Sequence, residues 1–314
     1  MKELSGRIAV VTGGGSGMGR ELVVQLAAEG CSVAACDMHT DRLEETAAAA
    51  LAGAPEGTIV TTHRCDVSNR DDVARFRDEV VAQHETDHVN LVFNNAGIAG
   101  GGSFVTGPPD EWERTFGVCW GGVYNCSRAF VPLLVASDDG YLVNTSSVNG
   151  FWASLGPGIA HTAYSSAKFA VKGFSEALIE DFRLNAPHVK VAVVMPGHIG
   201  TDIVNNTRRV LLGDGRDDMS DVRNLMSARG IDGSEISDDD LRQMMEMMGE
   251  SFRDNAPCSA AEAATIILDG VRAGEWRILV GDDAHALDAA VRADPLKAYA
   301  PDGPTLATIN MMGS

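Results

Sequence analysis

Tyr164 and Lys168 stand four residues apart in Tyr164-Ser165-Ser166-Ala167-Lys168, and Ser147 closes an apolar run upstream. Residues four apart on a helix share one face, so a phenol and an ammonium can enter one pocket together. An ammonium beside a phenol favours the phenolate and lowers its pKa, which would fit tyrosine for acid–base work near neutral pH. Core packing alone gives no reason for this trio. The pattern predicts an active site with Ser147, Tyr164 and Lys168 as its catalytic residues.

A different chemistry is written near the N-terminus, in Thr12-Gly13-Gly14-Gly15-Ser16-Gly17-Met18-Gly19 between an expected strand and an expected helix. Glycines let the backbone approach a pyrophosphate, and a helix start offers free N–H donors and a favourable dipole. Tight strand-to-helix turns also use glycine for steric reasons alone, so the turn needs support. Asp37 supplies it at the end of the second expected strand. A carboxylate there can accept hydrogen bonds from the ribose diol of NAD and would repel the 2′-phosphate of NADP. The alternative for Asp37 is an ordinary turn carboxylate. Ser16 brings no positive charge to a 2′-phosphate, although Arg20 and Arg42 are close in sequence. The expectation is NAD in preference to NADP. Cys65-Asp66-Val67 and Asn94-Asn95-Ala96-Gly97 follow the third and fourth expected strands, at the sheet end where open α/β folds bind ligands.

The elements that must hold these groups read as short β-branched runs alternating with helical stretches. The strands are expected at Ile8–Thr12, Ser32–Cys36, Thr58–Thr62, Val89–Phe93, Tyr141–Asn144, Val189–Val194 and Arg277–Val280. Helices are expected at Gly19–Glu29, Asp41–Leu51, Asp71–His84, Tyr164–Phe182, Ala260–Ala273 and Ala284–Arg292. Ser259 and Glu262 form a capping-box pattern, and Gly274 stops that helix. The alternation predicts an α/β, Rossmann-type doubly wound domain with a seven-stranded parallel sheet. That domain spans residues 1–283, followed by a C-terminal helix and tail at 284–314. Between Thr201 and Pro257 the rhythm breaks into an acidic, Met-rich insertion, assigned to 202–256 as a helical substrate lid. Within it Leu241, Met244, Met245, Met248 and Phe252 share one helical stripe, with Ser237 as N-cap.

The 314 residues are 45% hydrophobic and 22% charged, as expected of a globular chain with a sizeable core. A net charge of −19 argues against a sequence-independent hold on nucleic acid or an anionic membrane. The six cysteines show no metal-ligand spacing and read as reduced thiols, so no metal is expected. The N-terminus runs directly into a strand, and no apolar run is long enough to span a membrane. A cytoplasmic location is the expectation.

The ordered set Thr-Gly-x3-Gly-x-Gly at 12–19, Asp66-Val67, Asn-Asn-Ala-Gly at 94–97, Ser147, Tyr-x3-Lys at 164–168 and Pro196-Gly197 leading to Thr201 resembles the short-chain dehydrogenase/reductase family. The likeness covers about residues 5–201 and resumes near 258–281. It implies that Gly13, Ser16, Gly17, Met18 and Gly19 hold the pyrophosphate and Asp37 the adenosine ribose. Asp66 and Val67 would surround adenine, Asn95 and Gly97 would lie beside the cofactor, and Ile199 and Thr201 would position the carboxamide. Ser147 would hydrogen-bond the substrate oxygen, Tyr164 would exchange its proton, and Lys168 would hold the nicotinamide ribose while lowering the Tyr164 pKa. Ser147 is preferred to Ser146 because the family's serine precedes an x-x-Gly turn, here Val148-Asn149-Gly150. A homotetramer or homodimer is implied as well.

One position departs from the family. An asparagine that relays protons from the lysine to solvent is replaced, on a gapless reading, by Cys119. A thiol cannot present the donor and acceptor of an amide together. Either another group or water completes the relay, or turnover is relay-limited, or the chain is a weak NAD-binding sensor or scaffold. On the substrate side, the loop from Ser147 to Tyr164 is longer than is common in the family. It places Phe151 and Trp152 as candidate apolar walls, with core or subunit contact as the alternative. His198 is a candidate near the nicotinamide end or a satisfied loop histidine. Met244 and Met248 are candidate lid contacts or core-packing side chains. No arginine is placed to clamp a carboxylate. The reading is an NAD-dependent oxidoreductase for a bulky, largely apolar secondary alcohol and its ketone.

Overall fold

Val10 and Val11 show how the sheet is built: Val11 joins a core on one face and Val10 a core on the other, as the two-residue period of a strand requires. The computed structural model describes residues 1–156, 159–212, 219, 222, 223, 226 and 232–304. Its strands are β1 (Ile8–Thr12), β2 (Ser32–Asp37), β3 (Val60–Arg64), β4 (Leu91–Asn94), β5 (Gly140–Thr145), β6 (Val189–Pro196), β7 (Ile199–Gly200), β8 (Cys258–Ser259) and β9 (Arg277–Val280). Seven of them pair in the order β3-β2-β1-β4-β5-β6-β9, parallel throughout. This is the doubly wound α/β arrangement, with its switch point between β1 and β4, where ligands bind.

The helices are α1 (Gly17–Ala28), α2 (Thr40–Gly53), α3 (Arg70–Gln83), α4 (Pro109–Phe116), α5 (Gly122–Val135), α6 (Thr162–Asn185), α7 (Ile203–Leu212), α8 (Asp238–Asp254), α9 (Ala260–Ala273) and α10 (Asp282–Ala293). Leu22 and Leu26 of α1 pack with Ile267 and Val271 of α9 on one face of the sheet. Phe76 of α3, Phe130 of α5 and Phe182 of α6 fill the other. Each such buried side chain contributes about 1.5–3 kcal/mol. A polar ladder crosses the second face: Asn94 Nδ2 donates to Asn144 Oδ1 at 2.8 Å, and Asn144 Nδ2 to Ser175 Oγ at 3.0 Å.

Several elements differ from expectation, for local reasons. β3 begins at Val60 because the Thr58 N–H closes a turn on the Pro55 carbonyl, 3.2 Å, before pairing starts. Inside the insertion, expected to be helical but without helix bounds for this stretch, α7 forms at Ile203–Leu212. The two ends of the insertion are tied by the β7–β8 pair, Ile199 opposite Cys258 and Gly200 opposite Ser259. α8 carries the Met stripe as expected, and Ser237 Oγ caps it by accepting from the Asp240 N–H at 3.1 Å. The capping box at Ser259 and Glu262 is present. Between α4 and α5 the chain widens into a π-helical turn at Gly117–Gly121, a device common at functional sites. Part of the 202–256 insertion and residues 305–314 of the tail lie outside the described residues.

Candidate active site

The β1–α1 turn shapes the first half of the site. Gly17 sits at φ +53°, a conformation that other residues rarely adopt, and a Cβ on Gly19 would stand 2.0 Å from the Gly13 carbonyl oxygen. The Ser16 side chain does not cap α1, so the helix start presents its N–H groups to the cleft. Gly13, Ser16, Gly17, Met18, Asp37, Asp66, Val67, Asn95, Gly97 and Thr201 all line this cleft. Gly19 lies in the helix packing beneath it, and the Ile199 side chain is in the core.

Asp37 is fixed at the cleft edge: its Oδ2 accepts from the Gly15 N–H and its Oδ1 from the His39 N–H, each at 3.1 Å. Asp66 accepts from the Ser68 hydroxyl at 2.7 Å and from Arg114 Nη1 at 2.8 Å. Burial pushes the Asp66 pKa up, but these hydrogen bonds outweigh it and hold the carboxyl below its ordinary value. Asn95 Nδ2 donates to the Thr12 carbonyl at 3.2 Å, while its Oδ1 is buried without a partner. An orphaned buried acceptor, an uncapped helix start and an anchored carboxylate together fit a dinucleotide. α7 closes over the cleft through Ile203, Asn206 and Val210, and the Ala99 N–H donates to Thr207 Oγ1 at 2.7 Å.

The second half is the trio. Ser147 follows β5 and is almost fully buried; its Oγ accepts from the Asn149 N–H at 3.1 Å. Ser146 turns the other way, its hydroxyl donating to the Lys168 carbonyl at 2.7 Å, which leaves Ser147 as the serine beside the phenol. Tyr164 and Lys168 share one face of α6, with Nζ 5.3 Å from the centre of the phenol ring. That Nζ donates to the Thr145 carbonyl at 2.8 Å.

The expected electrostatics need correcting. Sequence reasoning has Lys168 lowering the Tyr164 pKa, yet the shift is upward. Burial is its largest cause and the Cys119 sulfur adds to it, while the Ser147 hydrogen bond works the other way. Burial also lowers the Lys168 pKa, with Cys119 opposing. Desolvation disfavours both charged forms, and the ammonium is engaged by a carbonyl. In this chain the surroundings favour the phenol over the phenolate. Cys119 itself is fully buried in the π turn, its thiol donating to the Ile98 carbonyl at 3.1 Å. Asn125 faces elsewhere, its amide donating to the Val67 carbonyl at 3.0 Å.

The five residues expected around the substrate do not gather at Tyr164. Trp152 is fully buried under the C-terminal segment, its Nε1 donating to the Ala298 carbonyl at 2.8 Å, and Phe151 packs against the same cluster. His198, Met244 and Met248 instead line a separate surface groove with Met247 and Phe252. The His198 ring lies tilted against Phe252 at 4.2 Å, and its Nε2 bonds the Phe252 carbonyl at 2.7 Å, the satisfied loop histidine of the alternative reading. Sequence reasoning missed His161, whose ring lies 4.7 Å from that of Tyr164. It also gave no bounds for α7, which the i, i+4, i+7, i+8 spacing of Ile203, Thr207, Val210 and Leu211 could have marked; no local signal marks the His161 contact.

The family model for the short chain dehydrogenases matches residues 7–211. SadH of Mycobacterium tuberculosis, a provisionally assigned oxidoreductase, is 36% identical over 293 residues, covering 93% of this chain and 92% of its own length. Human epidermal retinol dehydrogenase 2 is 36% identical over 202 residues, 64% of this chain and 62% of that protein. The crystal structure of a Burkholderia phymatum short chain dehydrogenase/reductase in complex with NAD superposes with a TM-score of 0.77 at 25% identity, covering 97% of this chain and 99% of that one. The chain belongs to the short-chain dehydrogenase/reductase family and is an oxidoreductase of that class. No helix among the described residues is long and apolar enough to cross a membrane.

Proposed function

We propose that this chain is an NAD-dependent oxidoreductase that interconverts a bulky, largely apolar secondary alcohol and its ketone. The observation that carries the reading is the convergence of Ser147, Tyr164 and Lys168 at the carboxyl end of the sheet, beside the cleft that fits a dinucleotide. A bound nicotinamide supplies or accepts hydride. Tyr164 gives its proton to the ketone oxygen in reduction and recovers one in oxidation. Ser147 donates a hydrogen bond to the same oxygen. Lys168 holds the nicotinamide ribose. The choice of NAD over NADP rests on Asp37 and on the arginines nearby: Arg42 Nη1 is tied to Asn206 Oδ1 at 2.8 Å and Arg20 to Glu21 at 2.5 Å. Family members solved with NAD and with NADP support a nicotinamide cofactor in general. The retinol dehydrogenase relative supports an apolar alcohol. A dimer or tetramer, read by light scattering, belongs to the same proposal.

The buried thiol at Cys119 favours a second reading, a weakly active NAD-binding sensor. NADH consumption with a panel of hydrophobic ketones, and NAD reduction with the matching alcohols, separates the two. Turnover in either direction supports the enzyme. Tight NAD binding, seen as a raised Tm, without turnover in both directions supports the sensor.

A further inference from the structure

His161 occupies the position just before α6, and its imidazole lies tilted by 33° over the Tyr164 ring at 4.7 Å. Its place is set by the backbone around it. The Thr162 and Ala163 N–H groups donate to the Gly102 and Gly101 carbonyls, each at 3.0 Å, and Trp112 Nε1 donates to Thr162 Oγ1 at 3.2 Å. Gly101 permits that approach, since a Cβ there would meet the Ala163 Cβ at 2.3 Å. Among the described residues nothing hydrogen-bonds the ring nitrogens of His161. His63, His188 and His198, by contrast, have ring nitrogens bonded to protein groups. Burial alone pushes the His161 pKa down to about 4, with no neighbouring charge contributing. Burial favours the neutral ring, which has one N–H donor and one acceptor, neither bonded among the described residues. A partly buried polar edge without a partner is the kind of group that a ligand completes.

We propose that His161 is a substrate-binding residue that hydrogen-bonds a second, uncharged oxygen of the substrate, selecting ketones and alcohols with a carbonyl or hydroxyl close to the reacting carbon. This rests on the oxidoreductase reading and names the substrate class within it. A neutral imidazole serves a hydroxyl as acceptor or a carbonyl as donor. It gives no preference to a carboxylate. The adjacency of the two rings places the second oxygen on an adjacent or next-but-one carbon.

Benzil and deoxybenzoin share a skeleton and differ by one carbonyl, so their reduction by NADH tests the idea, with Tyr164→Phe as the inactive control. In His161→Phe, which keeps a ring without nitrogens, kcat/KM for benzil should fall about tenfold, while that for deoxybenzoin stays nearly unchanged. His161→Gln should recover part of the loss. Equal changes for both ketones, or none, overturn the proposal. So does restoration of His161→Ala by free imidazole with deoxybenzoin, which would make the residue a proton carrier. Should the wild type reduce neither ketone with NADH or NADPH, the oxidoreductase reading fails for this substrate class. The hydrogen bond is then judged by calorimetric benzil binding in the presence of NAD. An affinity about tenfold weaker in His161→Phe supports it, and equal affinity overturns it.

Discussion

The Cys119 thiol and the Lys168 ammonium converge on Gly97: a Cβ placed on that glycine would stand 3.7 Å from Sγ and 3.6 Å from Nζ. The thiol thus lies beside the lysine, at the position where the resemblance read from the sequence expects an amide. Its proton is directed to the Ile98 carbonyl, and it is sealed from solvent. A thiol in that position cannot accept and donate in the way a relay requires. Cys119→Asn supplies an amide there and is expected to raise turnover a few-fold and to change its pH profile. Cys119→Ala controls for repacking. An unchanged rate and profile in Cys119→Asn removes proton relay as the limiting feature.

Asp37 is anchored by two backbone N–H groups, so its carboxylate is preorganised at the edge of the cleft. Losing charge-assisted hydrogen bonds to a ribose costs about 1.5–3 kcal/mol. Asp37→Ala should therefore raise KM for NAD about ten- to hundredfold while KM for NADP changes little or improves. Steady-state kinetics with both cofactors checks this, and a wild type that favours NADP would overturn the assignment.

Acid sensitivity should arise at the sheet edge. Buried His63 bonds Glu79 Oε2 at 2.8 Å and Thr61 Oγ1 at 2.9 Å, and the same hydroxyl meets His84 Nε2 at 2.9 Å. Burial lowers both histidine pKa values below 6.5, with Glu79 partly opposing at His63 and His63 adding at His84. The unfolded chain binds protons first, so stability is fully present above about pH 6.5 and declines as pH falls toward the depressed folded values. Tm measured across this range should drop with acidity, less steeply in His63→Gln. A Tm independent of pH there would contradict the assignment.

Trp152 separates packing from chemistry. Its ring is fully buried and its Nε1 bonds a carbonyl of the C-terminal segment. Trp152→Ala should cost about 3–5 kcal/mol of stability, read by denaturant unfolding, with KM for ketones largely unchanged in the folded fraction. A raised KM at unchanged stability would return Trp152 to the substrate wall.

The strands Ile8–Thr12 and Arg277–Val280 were legible to the residue because each is a short β-branched run between clear breaks. The capping box at Ser259 and Glu262 was legible because its chemistry is local. The Tyr164–Lys168 face was legible because four-residue spacing on a helix is geometry in itself. α7 received no bounds although Ile203, Thr207, Val210 and Leu211 recur at helical spacing opposite Asn205, Arg208 and Arg209; what sequence could not show is its place over the cleft, which contacts to Ala99 and the cleft residues set. The partner of Trp152 lies 146 residues away, and the His161 stack depends on a loop path that no spacing encodes. The upward Tyr164 shift is not legible in the sequence, which shows the nearby cation but not the desolvation that raises the pKa.

The central claim is that Tyr164 is the group that exchanges the substrate proton. Its direct measurement is the rate of NADH consumption with a hydrophobic ketone, compared between wild type and Tyr164→Phe, with NADH affinity followed by fluorescence. The substitution should cut kcat by about 10²- to 10⁴-fold with NADH affinity retained. In the wild type, reduction should hold across neutral pH and fail only on the alkaline side, because burial favours the protonated phenol. A Tyr164→Phe variant that reduces the ketone at the wild-type rate would contradict the account.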